Sequence, residues 1–134
     1  MIARLTGTVV MKAVDHIVLD VRDVGYRVSI PLSTYYDLPE IEASVSVFVH
    51  TYVREDTFQL FGFLTVDERD LFDALLRVTK VGPKLALAML SGLSAGDLQQ
   101  AIIEGDVSRL SAVPGVGRKT AERIILELRE KLAK

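Results

Sequence analysis

At 134 residues, with 49% apolar and 25% charged side chains, the chain has the profile of one folded domain or two small ones and not of a disordered segment. No apolar run approaches the roughly 20 residues that span a bilayer, and the absence of cysteine excludes disulfides and thiolate metal sites. The formal charge of −2 excludes a polycation, so any hold on nucleic acid has to come from placed groups. The opening Met1-Ile2-Ala3-Arg4-Leu5-Thr6-Gly7 lacks the apolar core of a signal peptide, which together with the missing cysteines fits a cytosolic setting.

Charge and periodicity both divide the chain near residue 63. Residues 1–63 carry five Lys/Arg against eight Asp/Glu, while residues 64–134 carry eleven against ten. The first stretch reads as strands. One runs from about Ile2 to Met11, a second alternates through Ile17, Leu19 and Val21, and a third carries Tyr26, Val28 and Ile30 after an Asp23-Val24-Gly25 turn. Pro31 closes that run, and an irregular stretch containing Pro39 follows. Val45, Val47 and Val49 lead a fourth strand through Thr51 and Tyr52; the polar tip Arg54-Glu55-Asp56 separates it from Phe58–Phe63. Five short strands suit a small barrel, and the OB-fold is the expected architecture.

Helical spacing begins at Thr65, where Thr65 and Glu68 have the spacing of a capping box before Leu71, Phe72, Leu75 and Leu76. Thr79-Lys80-Val81-Gly82 breaks the helix and Pro83 restarts it, at a position where its missing N–H costs nothing. Ser94 and Asp97 start the next helix, Gly105-Asp106 turns into the short segment Val107–Ser111, and Pro114-Gly115-Val116-Gly117 breaks the chain again. A last helix is expected over 118–131, with an apolar stripe of Ala121, Ile124, Ile125, Leu128 and Leu132.

The same pattern thus occurs twice: Val81-Gly82-Pro83-Lys84 returns 35 residues later as Val116-Gly117-Arg118-Lys119. Backbone N–H groups at a tight turn that opens into a helix N-terminus form an anion site. The candidate phosphate-binding residues are Lys80, Val81, Gly82 and Lys84 in the first copy, and Gly115, Val116, Gly117, Arg118 and Lys119 in the second. A glycine corner between packed helices is the plain alternative for either copy alone. Lys80 stands where the second copy has Gly115, so a positive φ there strains the first copy. Glu55 and Asp56 read either as a solvated hairpin tip or as carboxylates that repel a nearby phosphate backbone.

Other chemistry finds no support. His16 and His50 lack a carboxylate or cysteine cluster, so no metal is expected. The glycines lack Walker spacing. Thr120 stands where a dinucleotide fingerprint needs its third small residue. No nucleophile–base pair has spacing support, and neither catalysis nor a cofactor is expected. Three classes remain open: a non-enzymatic module that grips phosphates of one polymer, a DNA repair enzyme that uses the same phosphate grip, and an OB protein that stacks single strands on Tyr26, Tyr52, Phe58 and Phe61.

A resemblance covers essentially the whole chain. Met1-Ile2 with Leu5 and Gly7, Gly25-Tyr26, Val53-Arg54-Glu55-Asp56, Leu60-Phe61-Gly62-Phe63, Gly82–Ala88 and Pro114–Arg123 together resemble the bacterial RuvA family, the DNA-binding subunit of the Holliday-junction branch-migration machinery. The resemblance implies an OB-fold domain (1–63) for oligomerisation and an acidic pin, followed by an all-α domain (64–134) with tandem helix-hairpin-helix motifs. It further implies a homotetramer, in some members an octamer, on an open square-planar four-way junction. Hairpins at 79–83 and 114–118 hold phosphates, Glu55 and Asp56 form the pin, and Arg54 is an additional DNA contact. The implied setting is cytoplasmic recombination, DNA repair and the SOS response, with the RuvB ATPase and the RuvC resolvase as partners. The family continues into a third, motor-binding domain that is absent from this chain, which stops at Ala133-Lys134. Junction binding with RuvB contact impaired or lost is the corresponding expectation.

Overall fold

The computed structural model describes residues 1–133. They form two compact units, Met1–Arg69 and a second beginning at Asp70.

The first unit is a closed five-stranded barrel. Its strands are β1 (Arg4–Lys12), β2 (His16–Val21), β3 (Val24–Ser29), β4 (Ser44–Arg54) and β5 (Thr57–Phe63), in the order β1-β2-β3-β5-β4 with β4 returning to β1. All pairings are antiparallel except β3 with β5, which meet in parallel at Ser29 and Phe61. This is the expected OB-fold. The alternation that marks the strands also fills the barrel, whose core includes Leu5, Val9, Ile17, Leu19, Val28, Ile30, Val47, Val49 and Leu60. Two inward positions must be glycine for the barrel to close. A Cβ on Gly7 would lie 2.5 Å from the Asp20 carbonyl oxygen, and one on Gly62 would lie 2.5 Å from Val28 Cγ1.

Local details depart from the sequence expectations. The β2–β3 turn is Arg22-Asp23, both at positive φ (49° and 73°), and Val24 and Gly25 already belong to the strand. A two-residue turn of that handedness matches the twist of the hairpin, and the Asp20 carboxylate accepts from the Asp23 N–H at 2.8 Å. The stretch expected to be irregular contains a short helix, α1 (Leu32–Asp37), whose Thr34 is buried and whose Tyr35 stacks under Lys12 Nζ at 5.1 Å. Its six residues are too few to show a period. His16 Nδ1 lies 2.8 Å from Asp15 Oδ1, and that hydrogen bond holds the Asp15 carboxyl below its ordinary value.

Helix α2 (Val66–Leu76) begins in the first unit and continues into the second, which adds α3 (Pro83–Gly92), α4 (Ala95–Glu104), α5 (Val107–Ser111) and α6 (Arg118–Ala133). The apolar stripes are buried, with Phe72, Leu75, Met89, Leu98, Ile102, Leu110, Ile124 and Leu128 all removed from solvent. Three helix starts are closed by their own side chains. Thr65 Oγ1 accepts from the Glu68 N–H (3.2 Å), Ser94 Oγ from the Asp97 N–H (3.1 Å), and Asp106 Oδ1 from the Arg109 N–H (3.1 Å). Gly105 ends α4 in the left-handed conformation, and Arg129 of α6 donates to the Ile103 carbonyl at 2.9 Å, tying the last helix to α4. No helix among the described residues is long and apolar enough to cross a membrane.

Candidate nucleic-acid interface

The repeated sequence is a repeated structure. Helices α2 and α5 end at Leu76 and Ser111, and α3 and α6 begin at Pro83 and Arg118, in both cases 35 residues apart. Inside each turn the Val81 N–H donates to the Val78 carbonyl at 3.1 Å, and the Val116 N–H donates to the Val113 carbonyl at 3.0 Å. Val78, Val81, Val113 and Val116 are all buried, so each turn is pinned to the core at two points. Each helix then opens with the same bond, Ala86 N–H to Gly82 and Ala121 N–H to Gly117, both at 3.0 Å.

Val81 and Val116 therefore anchor the turns: their side chains are buried and their N–H groups are committed to the turn bonds. The groups left facing outward are Lys80, Gly82 and Lys84 in the first hairpin, and Gly115, Gly117, Arg118 and Lys119 in the second, all exposed. Unlike α2, α4 and α5, helices α3 and α6 begin at a glycine that has no side chain to cap them. Their first-turn N–H groups have no partner within the helix and point outward with the positive end of its dipole. The second hairpin offers one more such N–H than the first, because Pro83 has none where Arg118 does.

The glycines divide by role. Gly115 has φ 92°, the left-handed region, so the turn itself calls for glycine there. Gly82 sits at φ −97° and ψ 177°, extended backbone that any residue adopts. A Cβ on either Gly82 or Gly117 would meet nothing within 4 Å. The fold makes no demand for glycine at those two positions, and what it leaves there is bare backbone with open space in front. Gly115, and not Gly117, takes the left-handed geometry.

Lys80 occupies the position of Gly115 and has φ 71°. A side chain in this region costs about 1–2 kcal/mol. Lys80→Gly removes that strain while losing about 0.5–1 kcal/mol to the freer unfolded chain. The expected net is a small stabilisation, seen as a rise of a few degrees or less in the calorimetric midpoint, together with weaker DNA binding from the lost charge. Equal or greater affinity in the Lys80→Gly variant would show that the ammonium does not reach the ligand.

The two hairpins adjoin one another: a Cβ on Gly115 would sit 3.5 Å from Leu85 Cδ1, in the first turn of α3. Arg118 is held along α6 by Glu122, with Nε 3.1 Å from Oε1. The remaining candidates belong to the first unit. Glu55 and Asp56 form the two-residue turn between β4 and β5, closed by the Arg54–Thr57 pair, and both are exposed. Asp56 Oδ1 accepts from Thr57 Oγ1 at 3.3 Å. The Arg54 guanidinium lies 4.1 Å from the Tyr52 ring centre and donates to the Val53 carbonyl. Of the aromatic residues considered for stacking, Phe61 is buried at 3% exposure, Tyr26 and Tyr52 are half-buried, and Phe58 is exposed. Among the described residues no group of three or more His, Cys, Asp or Glu is arranged to hold a metal.

The contact of Leu85 with the second turn had no sequence signal and needs the packing, whereas the capping contrast between the hairpin helices and the rest follows from cap residues such as Thr65 and Ser94.

The comparisons with known proteins agree with this architecture. The family described as RuvA N terminal domain matches residues 1–62, and the SAM-like helix-hairpin-helix tandem matches residues 72–130. A protein of Pelobacter propionicus named Holliday junction branch migration complex subunit RuvA is 58% identical over the whole chain, which covers 67% of that relative. Identically named proteins of Syntrophotalea carbinolica and Geotalea daltonii are 58% and 52% identical over 98% and 100% of the chain, covering 66% and 67% of their own lengths. The chain thus spans about two thirds of the length of these relatives. With a closed barrel where the first family matches, paired hairpins where the second does, and this identity from end to end, the chain belongs to the RuvA family.

Proposed function

We propose that this chain binds four-way DNA junctions by their shape and holds them open and square-planar for branch migration by a partner ATPase. The observation that carries the reading is the pair of equivalent hairpins, each presenting an uncapped helix N-terminus behind a glycine that the fold does not require. Amides and helix dipoles of this kind bind phosphate oxygens and carry no base code. The names of the relatives supply the DNA form. In this reading Lys80, Lys84, Arg118 and Lys119 add ion pairing around the hairpins, and Glu55 and Asp56 disfavour plain duplex by repelling its continuous backbones.

The net negative charge limits what one copy achieves, and four copies around a junction convert a local grip into avidity. A homotetramer, or two stacked as an octamer, is therefore part of the proposal, as are a bacterial cytoplasmic setting and a place beside the RuvB motor and the RuvC resolvase. A single-strand-binding reading is weakened by Phe61, which is core, and a repair-enzyme reading by the lack of a supported catalytic group.

The test is competition binding at a stated salt concentration among four-way junction, linear duplex and single strand of matched sequence, since affinity for phosphates falls steeply with salt. The junction is expected to win clearly over both. Equal affinity for duplex and junction would defeat the proposal.

A further inference from the structure

Strand β4 is longer than the barrel needs. Its pairing with β1 covers Ser44–Phe48, and its pairing with β5 continues to Arg54. Ile2 reaches as far as the Thr51 hydroxyl, which its N–H meets at 3.0 Å, while the ladder pairing of β3 with β5 is at Ser29 and Phe61. From Tyr52 to Gln59 the chain is accordingly a two-stranded ribbon rising beyond the barrel, with Glu55 and Asp56 at its tip.

The register gives this ribbon two different faces. Val53 stands opposite Phe58, in the row that lower down supplies Val49 and Leu60 to the core. Above the barrel that row has nothing left to cover it, and Val53 and Phe58 are 53% and 65% exposed. The opposite face carries Tyr52 with the Arg54 guanidinium stacked on it. The Phe58 ring, with the β-branched Val53 opposite it, stands two residues from Asp56 and three from Glu55, on the part of the strand pair that extends past the β1 pairing.

We propose that Phe58, supported by Val53, is a stacking surface for an unpaired nucleobase at the branch point; this rests on the junction-binding reading above. The chemistry selects the occupant. A protein partner seated on Val53 and Phe58 would take Glu55 and Asp56 out of water, at a large desolvation cost. A nucleobase is small, planar and neutral, covers the Phe58 ring, and leaves the carboxylates solvated. The same carboxylates repel phosphate, so bases and not backbone are what the ribbon admits. A base parted from its partner at a branch point loses stacking, and an exposed aromatic face restores it, an interaction that tolerates any sequence because every base has a π face.

The experiment uses this chain with a four-way junction carrying 2-aminopurine either at the branch point or in the middle of an arm. With the unsubstituted chain, fluorescence is expected to rise at the branch point and stay level in the arm. Phe58→Ala and Phe58→Leu should lose most of that rise and bind the junction about tenfold more weakly, a loss on the scale of one base–aromatic stack. Phe58→Tyr should keep both. Since the side chain is exposed, all three should melt like the parent. An unchanged branch-point signal in Phe58→Ala, with junction preference retained, overturns the stacking role and leaves the proposed function standing. A change in mass by light scattering that accounts for the lost signal assigns the surface to a contact between copies and also overturns it. No junction preference in the parent chain overturns both readings.

Discussion

Gly117→Leu is expected to weaken binding to every DNA form by at least about tenfold, the scale of one lost hydrogen bond to a charged group, while leaving the melting temperature nearly unchanged. The two halves of that expectation have separate causes. A Cβ at Gly117 meets nothing within 4 Å, so the folded chain has room for a side chain. That same side chain would fill the space in front of the first amides of α6, which only a closely approaching ligand needs. Gly82→Leu should act in the same direction, and less strongly, because Pro83 leaves the first hairpin one donor fewer. Gly96 supplies an internal control: it too has open space around it, but it lies in α4, whose start is capped by Ser94. Gly96→Leu should bind DNA like the parent. Filter or anisotropy titrations with junction and duplex, alongside thermal melts, check all three. If Gly117→Leu binds normally, the hairpins are corners of helical packing and the phosphate grip is lost as an explanation.

Neutralising the tip with Glu55→Gln and Asp56→Asn together should act on choice more than on hold. Duplex affinity should rise and the junction-to-duplex ratio should fall by about tenfold, as expected for removing like-charge repulsion that costs a few kcal/mol against the wrong partner. Both residues are exposed in a two-residue turn, so stability should be unaffected. The effect should shrink as salt rises, because exposed charges are screened beyond roughly 8 Å at physiological ionic strength. An unchanged ratio at low salt would make the tip a solvated turn and nothing more. The hairpin and tip variants are distinguishable by design: the first loses affinity for all forms, the second gains it for duplex.

Much of this was legible in the chain before any packing was considered. Inward-facing valines, leucines and isoleucines at period two are enough to mark the barrel strands, because a strand buries alternate residues whatever its neighbours. Thr65 and Ser94 marked helix starts because a cap is a bond between residues three apart; Asp106 caps α5 in the same way. The doubled Val-Gly turn was visible for the same reason, as its anchoring bonds span three residues and recur at an offset of 35. Where local signals are weak the sequence misleads: α1 is too short to show a period in a stretch that reads as irregular, and the β2–β3 turn lies at Arg22 and Asp23, which take the positive φ, and not at Asp23-Val24-Gly25.

Tertiary structure decided what each glycine is for. Gly7, Gly62, Gly82, Gly115 and Gly117 look alike in sequence, yet the first two are filled by Asp20 and Val28 from other strands, Gly115 is set by its dihedral, and Gly82 and Gly117 face open space. Register across β4 and β5 likewise placed Phe58 opposite Val53 on a ribbon beyond the barrel, exposed, while Phe61, on the other face of the same alternating run, is buried. The physical reason is common to both cases. Local bonds and periodicity are properties of neighbours along the chain, whereas the space around a residue is set by segments distant in sequence. The repeated hairpin could be found from the first kind of information; that its glycines are open to a ligand required the second.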